Sequence, residues 1–410
     1  MARVLLSAYA CEPGRGSEPA VGWNWAAELA ELGHEVTVIT RAANRAAIES
    51  EARTSPRLRF VYYDLPSSLV RWRKGRIAKA IYYVLWQWRA PRWLRRHFPD
   101  LPFDLAHHVT YVSARYPSFM GSLGIPLWFG PVSGGEVVPA PLRPGFSAGQ
   151  RCHEWLRDLS NRLLHIDPLI RLTFRRAERI LVTPDTLRLV PKACRFRSTV
   201  HLAIGLPERQ LHRFPLPKRS APAMRLLYVG RLVEWKGLNL ALRALFHVRE
   251  RVQRIHFTIA GEGPAERKLR RLAHDLGLEN IVDWVGWVPQ RMLESYYETA
   301  DLLLFPSLRD SGGMVVLEAL AHGIPVVCTD LGGPGLVVDT SCGRAITTAG
   351  RNEEFVAREL AEAILEVQGD PALHASLSRG AHARAQQFSF RNMVETVYAA
   401  IPAAPTVCQA

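Results

Sequence analysis

"ADLLLFPSLRDSGGMVVLEALAHGIPVV", residues 300–327, decides the fold class. "LLLF" is a short, wholly apolar run, as in a strand buried on both faces. Its exit loop carries Asp310, a serine and two glycines, and a helix-like segment starts near Met314. Gly323 and Pro325 close that helix and lead into a second apolar strand. Strand, loop, helix and strand within one short stretch are the unit of an α/β protein.

The same alternation runs outward in both directions. Toward the N-terminus, "RVLLSAYA", "GHEVTVIT", "RLRFVYYDL", "FDLAHHVTY", "IPLWFGPV", "RILVTP" and "STVHLAI" read as short strands separated by helical segments. The pattern lapses in the proline-rich "LPERQLHRFPLPKRSAPAM" and restarts with "MRLLYVGRL". The expected fold class is therefore α/β, with two Rossmann-like doubly wound domains facing across a cleft. The expected boundaries are a domain over 1–206, a linker over 207–222, a second domain over 223–385, and a C-terminal helix and tail over 386–410 that packs back on the first domain. In such sheets ligands bind beyond the carboxyl ends of the strands, so the loops after strands are the places to search.

The totals narrow the function classes. There are 52 basic against 38 acidic side chains, a net charge of +14, which favours phosphate-bearing partners or an anionic surface. The 6 cysteines stand singly, without a CxxC pair, so neither a disulfide framework nor a zinc site is indicated. The opening "MARVLLSAYA" reads as a strand rather than a signal peptide, and a cytoplasmic location is expected.

Two loops carry candidate chemistry. In "YVGRLVEWKGLNLALRAL" (228–245), Arg231 and Lys236 follow a strand and precede a helix opened by Gly237. Two cations beside a helix N-terminus suit a diphosphate, although solvated basic side chains fit that stretch alone equally well. In the opening stretch, Gly312 and Gly313 allow close backbone approach and the helix supplies free N–H groups. Asp310 is placed to accept hydrogen bonds from sugar hydroxyls, and Glu318 from a ribose diol. Acids favouring a helix macrodipole would account for Asp310 but poorly for Glu318, beyond the first turn.

Together these elements resemble the retaining glycosyltransferases of the GT-B fold, family 4. The resemblance rests on "VGRLVEWKG", "AGEGPAERKLRRLA", "VGWVPQRMLESYYETADLLLFPSLRD" and "DSGGMVVLEALAHGIPVV", with a looser N-terminal match in "ACEPGRGSEP…LAELGHEVTVIT". It implies that Arg231 and Lys236 bind the donor diphosphate, Glu318 the ribose and Asp310 the donor sugar. Backbone N–H groups at Gly313, Met314 and Val315, beside Gly312, would face sugar and phosphate. Gly16 would approach the diphosphate from the other domain, and Val288, in "GWVPQ", would lie by the base. Catalytic roles are expected for Asp310, Arg231 and Lys236. The family usually has Glu where Asp310 stands. It also often has His after the strand matching "IPLWF", where this chain has "GPVSGGE" with Glu136; "LAHHVTY" offers His107 and His108 instead. Glu136 and His108 are thus further catalytic candidates. No Asp-x-Asp occurs, so neither a divalent metal nor another cofactor is expected.

"LVRWRKGRIAKAIYYVLWQWRAPRWLRRHFPD" (69–100) holds nine Arg or Lys and four Trp before its first acid. Residues 69–98 suit an amphipathic helix on anionic lipid, or core helices with solvated arginines. Nothing accompanies the charge that would mark nucleic-acid binding. The expected function is a nucleotide-sugar-dependent, retaining hexosyltransferase acting on a lipid-linked or polysaccharide-precursor acceptor, peripheral to the inner face of the plasma membrane. The alternatives are a soluble transferase acting on a small natural product, and a catalytically silent module binding nucleotide or membrane.

Overall fold

A computed structural model describes residues 1–51, 55–72, 75–211, 223–252 and 254–399. They form two compact units. Unit one comprises Met1–Gly135, Ser160–Ile204 and 390–399, and unit two comprises Glu136–Leu159 and Gly205–Ser389.

Unit one is built on a parallel sheet of β1 (Arg3–Ser7), β2 (Glu35–Thr40), β3 (Leu58–Tyr62), β4 (Leu105–His108), β5 (Leu127–Val132), β6 (Ala177–Val182) and β7 (Ser198–Val200). Their order across the sheet is β3-β2-β1-β4-β5-β6-β7. β4 and β5 are buried throughout, as expected for strands covered on both faces. The helix Gly75–His97 contributes Tyr82, Tyr83, Trp86, Ala90 and Leu94 to the core. Much of the aromatic content of 69–98 is thus interior, while Ile77, Ile81 and Trp88 are exposed. Positions 73–74 of that stretch lie outside the described residues.

Unit two is built on a second parallel sheet of β8 (Met224–Val229), β9 (Ile255–Ala260), β10 (Val282–Gly286), β11 (Leu302–Phe305), β12 (Val326–Thr329) and β13 (Gly343–Ile346). The order is β10-β9-β8-β11-β12-β13. Every residue of β11 is 1% exposed or less, as its apolar run requires. β13, paired from Val326↔Gly343 to Thr329↔Ile346, is absent from the sequence reading. Only its first residue is fully buried, so this edge strand has no apolar run to announce it.

In each sheet, two strands consecutive in the chain run away from the central one on one side and the later strands follow on the other. The reversal falls between β1 and β4 in unit one, and between β8 and β11 in unit two. A loop after each of those strands flanks a ready-made crevice.

The segment Glu136–Leu159 belongs with unit two rather than with the rest of 1–206. Arg309 donates to Glu154 at 2.7 Å, and the Ser147 N–H donates to Glu234 at 3.0 Å. Lys268 bonds the Gly145 carbonyl. Of the expected linker, Glu208–Leu211 is a short helix of unit two, and 212–222 lie outside the described residues. The helix Phe390–Tyr398 is part of unit one, where Tyr398 meets His107 Nδ1 at 2.9 Å. Residues 400–410 lie outside the described residues.

Candidate functional site

The β8/β11 crevice collects most of the residues singled out in the sequence. After β8 the chain passes Arg231 and makes a tight turn over Glu234–Lys236, and the helix Leu238–Arg249 follows. Gly237 permits that turn. Its φ is +67°, and a Cβ there would lie 1.9 Å from the Pro306 carbonyl oxygen, so only glycine fits. The turn directs Lys236 to the loop after β11, where its Nζ forms an ion pair with Asp310 Oδ2. The ammonium also lies 5.0 Å from the Phe305 ring centroid.

Asp310 organises its own loop. Oδ1 accepts the N–H groups of Gly312 at 3.1 Å and Gly313 at 3.0 Å. Burial pushes the carboxyl pKa up, but the Lys236 charge and hydrogen bond, with the two glycine N–H groups, outweigh it and hold it below the ordinary value. The helix Met314–Ala321 begins immediately afterwards, at Gly313 with φ +64°. With the N–H groups of Gly312 and Gly313 taken by Asp310, those of the first helical turn, from Met314 and Val315 onward, are the ones without an intrahelical partner.

Glu318 is 8% exposed, on the core side of that helix. Its Oε1 accepts from Gln290 Nε2 and its Oε2 from the Tyr297 hydroxyl, each at 2.8 Å. Burial raises its pKa, opposed by those two hydrogen bonds. Each oxygen keeps a lone pair for a further donor. Gln290 and Tyr297 are absent from the sequence reading. Gln290 closes the quoted "GWVPQ" loop, whereas nothing in "ESYYET" distinguishes Tyr297 from an ordinary helix face.

Arg231 is exposed and joins no ion pair among the described residues. Val288 is half-buried in the loop after β10, two strands from β8. Glu136 is 4% exposed, within 3.4 Å of Arg157, whose Nε also donates to the Glu136 carbonyl at 2.8 Å. A second buried pair lies in the same unit: Arg309, next to Asp310, bonds Glu154, which is fully buried, and its guanidinium stacks 4.6 Å from Trp235, next to Lys236. This charged support under both loops joins positions 155 residues apart, and no local pattern signals it.

The remaining candidates lie in unit one. Gly16 is exposed in the loop between β1 and the helix Glu18–Glu31. His107 and His108 are in the interior, at 0% and 1% exposure, rather than at an open surface. Burial lowers the His107 pKa to about 3 and the His108 pKa to about 4, so both rings are neutral near pH 7. His108 Nε2 lies 3.1 Å from the Thr110 carbonyl, which assigns the proton to Nε2. The Tyr83 hydroxyl and Gln87 amide also lie at 3.1 Å from Nε2. Among the described residues, no three His, Cys, Asp or Glu side chains gather as a cation ligand set, and no helix is long and apolar enough to cross a membrane.

Comparison with known proteins gives the family and the fold. D-inositol 3-phosphate glycosyltransferase from Corynebacterium aurimucosum is 29% identical over 233 residues, covering 54% of this chain and 49% of the relative. Amylovoran biosynthesis glycosyltransferase AmsK from Erwinia amylovora is 32% identical over 149 residues, covering 32% and 37%. The chain spans about half the length, or less, of these curated relatives. Among solved structures, WaaG, a glycosyltransferase involved in lipopolysaccharide biosynthesis, aligns over 98% of this chain and 100% of its own with a TM-score of 0.59 and 20% identity. HepE from Anabaena, solved in complex with UDP, aligns over 97% and 99% with a TM-score of 0.59 and 17% identity. At those identities the likeness is one of fold, and the fold is GT-B. Residues 15–189 match the family described as glycosyl transferase 4-like domain, residues 209–383 match glycosyl transferases group 1, and the chain belongs to that group 1 glycosyltransferase family.

Proposed function

We propose that the protein is a retaining hexosyltransferase that moves a sugar from a nucleotide-diphosphate donor to a glycan or glycolipid acceptor, in the assembly of a polysaccharide or lipid-linked glycan. The observation that carries this reading is the meeting of Lys236 and Asp310 at the β8/β11 crevice, directly before a helix N-terminus. The bond from the anomeric carbon to the diphosphate oxygen breaks, and its electron pair leaves with the diphosphate. The acceptor hydroxyl oxygen bonds the same carbon from the same face, and its proton passes to a leaving-group oxygen. Arg231, Lys236 and the N–H groups of Met314 and Val315 stabilise the developing charge, which is electrostatic catalysis. On this reading they do so without a divalent cation. Glu318 holds the ribose and Asp310 a donor-sugar hydroxyl.

In the structure Lys236 is engaged by Asp310. Donor binding therefore exchanges one anion for another on the same ammonium, and frees the carboxylate for the sugar. Calorimetric titration with UDP, GDP and ADP, with and without chelator, tests the reading. One nucleotide should bind regardless of chelator, and Lys236→Ala should weaken it. Binding of none, or binding only with metal present, would sink this mechanism.

The acceptor side has a second support. On the helix Gly75–His97, Ile77, Ile81 and Trp88 are exposed and fall within about 40° of one another at 100° per residue. Arg92 packs 4.4 Å from the Trp88 ring. An apolar stripe flanked by arginines suits the surface of an anionic membrane. Co-sedimentation with phosphatidylglycerol vesicles but not with phosphatidylcholine vesicles is expected, and equal behaviour with both would remove the membrane from the reading.

A further inference from the structure

Unit one has its own crevice at the β1/β4 reversal, and it is not empty of chemistry. A cavity of about 380 Å³ opens there, lined by Tyr9, Arg41, Lys79, Tyr83, Tyr111 and Tyr116. That volume falls in the range of small-ligand sites. Its walls come from where the topology places a ligand: Tyr9 follows β1, Arg41 follows β2 and Tyr111 follows β4. Lys79 and Tyr83 come from the helix Gly75–His97.

The four tyrosines form one cluster. Ring centroids lie 5.0 Å apart for Tyr9 and Tyr83, 5.1 Å for Tyr9 and Tyr111, and 5.4 Å for Tyr83 with each of Tyr111 and Tyr116. Tyr83 is fixed from behind, its hydroxyl 3.1 Å from His108 Nε2 and donating to the Tyr111 carbonyl at 3.2 Å. The hydroxyls of Tyr111 and Tyr116 have no hydrogen-bond partner among the described residues. Ring faces beside uncommitted hydroxyls suit a sugar, which presents C–H faces and hydroxyl edges.

The two cations have no acidic partner among the described residues. Arg41 donates from Nε to the Tyr9 carbonyl at 3.2 Å and from Nη2 to Asn44 Oδ1 at 3.4 Å, and it stacks 4.5 Å from the Tyr9 ring, all neutral partners. Lys79 is exposed. Neither forms an ion pair among the described residues, and among those residues no carboxylate lines the cavity; the nearby Glu18 is committed to the Tyr111 N–H, which donates to its Oε2 at 2.8 Å. Two cations without an ion-pair partner among the described residues, at the wall of an aromatic cavity, suit an anion.

We propose that this cavity binds a saccharide carrying an acidic group, a phosphate or a carboxylate, with the rings on the sugar and Arg41 and Lys79 on the acid. That this saccharide is the acceptor rests on the glycosyltransferase reading above; that it binds here does not. The test uses the full chain titrated with glucose 1-phosphate, glucuronic acid, glucose and inorganic phosphate, followed by intrinsic fluorescence and calorimetry. At least one acidic sugar should bind at least tenfold more tightly than glucose and than inorganic phosphate, and the stronger of the two names the acid. Arg41→Gln and the surface variant Lys79→Gln should each weaken that binding about tenfold, and Tyr111→Phe should weaken it less. Lys236→Ala should leave it unchanged, and the Arg41 and Lys79 variants should leave nucleotide binding unchanged, so failure of either site is visible separately. Equal binding of glucose would overturn the charge assignment. Equal binding of inorganic phosphate would reduce the site to an anion hole. No binding of either acidic sugar, or binding indifferent to Lys79→Gln and Arg41→Gln, would overturn the proposal.

Discussion

The two units solve the same topological problem with opposite materials. Each sheet reverses beside its central strand, and each reversal opens a crevice at the carboxyl ends of the strands. In unit two the crevice is organised by ions: Lys236 against Asp310, with the buried acids Glu154 and Glu136 of the same unit held by the part-exposed Arg309 and Arg157. In unit one it is organised by aromatic rings and neutral imidazole, and its two cations have no acid partner among the described residues. Ion pairs fix a geometry that a charged ligand must then compete for. A neutral aromatic wall leaves the cations open to whatever anion arrives.

The largest test of the contrast is Glu154→Ala. Glu154 is fully buried and Arg309 largely so, and removing the acid strands a guanidinium inside unit two. The expected loss is about 3–5 kcal/mol of stability by urea or thermal unfolding, the range for breaking a buried pair from one side. A loss under about 1 kcal/mol would mean that water reaches Arg309, which lies within the usual worth of an exposed pair. Nucleotide binding should fall too, because Arg309 precedes Asp310 in the same loop and stacks on Trp235, next to Lys236.

Lys236→Ala comes next. Its effect on nucleotide diphosphate affinity should be about 1.5–3 kcal/mol, the range for a hydrogen bond to a charged group. Part of the gross loss is offset, since the variant no longer has to break the ion pair with Asp310 before binding. An affinity unchanged within a factor of two would take Lys236 off the phosphate and leave it as Asp310's structural partner.

How much of each crevice was legible in the sequence follows from the same contrast. In unit two the chemistry is written in short loops: Gly237 beside Lys236, and Gly312 and Gly313 beside Asp310, each within a few residues of a strand end. Local spacing suffices there, and the strands that carry those loops, β8 and β11, announce themselves as apolar runs. Residues that act across the fold leave no such trace. Glu154 and Arg309 are 155 positions apart, and Tyr297 looks like any half-buried helix residue. The tyrosine cavity was unreadable because Tyr9, Tyr83, Tyr111 and Tyr116 share no spacing and meet only once the sheet is assembled. In 69–98 the composition was plain but its division was not: opposite faces of one helix send Tyr83 and Trp86 inward and Ile81 and Trp88 outward.

The smallest expected effect per group concerns the neutral side of the comparison, and it is a pH dependence. His107 and His108 have folded-state pKa values lowered to about 3 and about 4 by burial, against about 6.5 in an unfolded chain. Between those values the unfolded state binds more protons, so stability rises with pH there and is lost as pH falls. The contribution is complete above about pH 6.5 and declines below it by up to about 1.4 kcal/mol per pH unit for each ring. Glu18 and Glu318, whose pKa values burial raises, act in the opposite sense just above the ordinary carboxylate value. The overall stability curve therefore mixes the two, and the clean readout is imidazole chemical shift against pH in the native protein. Both rings should stay neutral from pH 7.5 down to 5, with the His108 proton on Nε2. A ring that titrates near 6.5 in the folded state is in contact with water, and the wall behind Tyr83 is then open rather than closed.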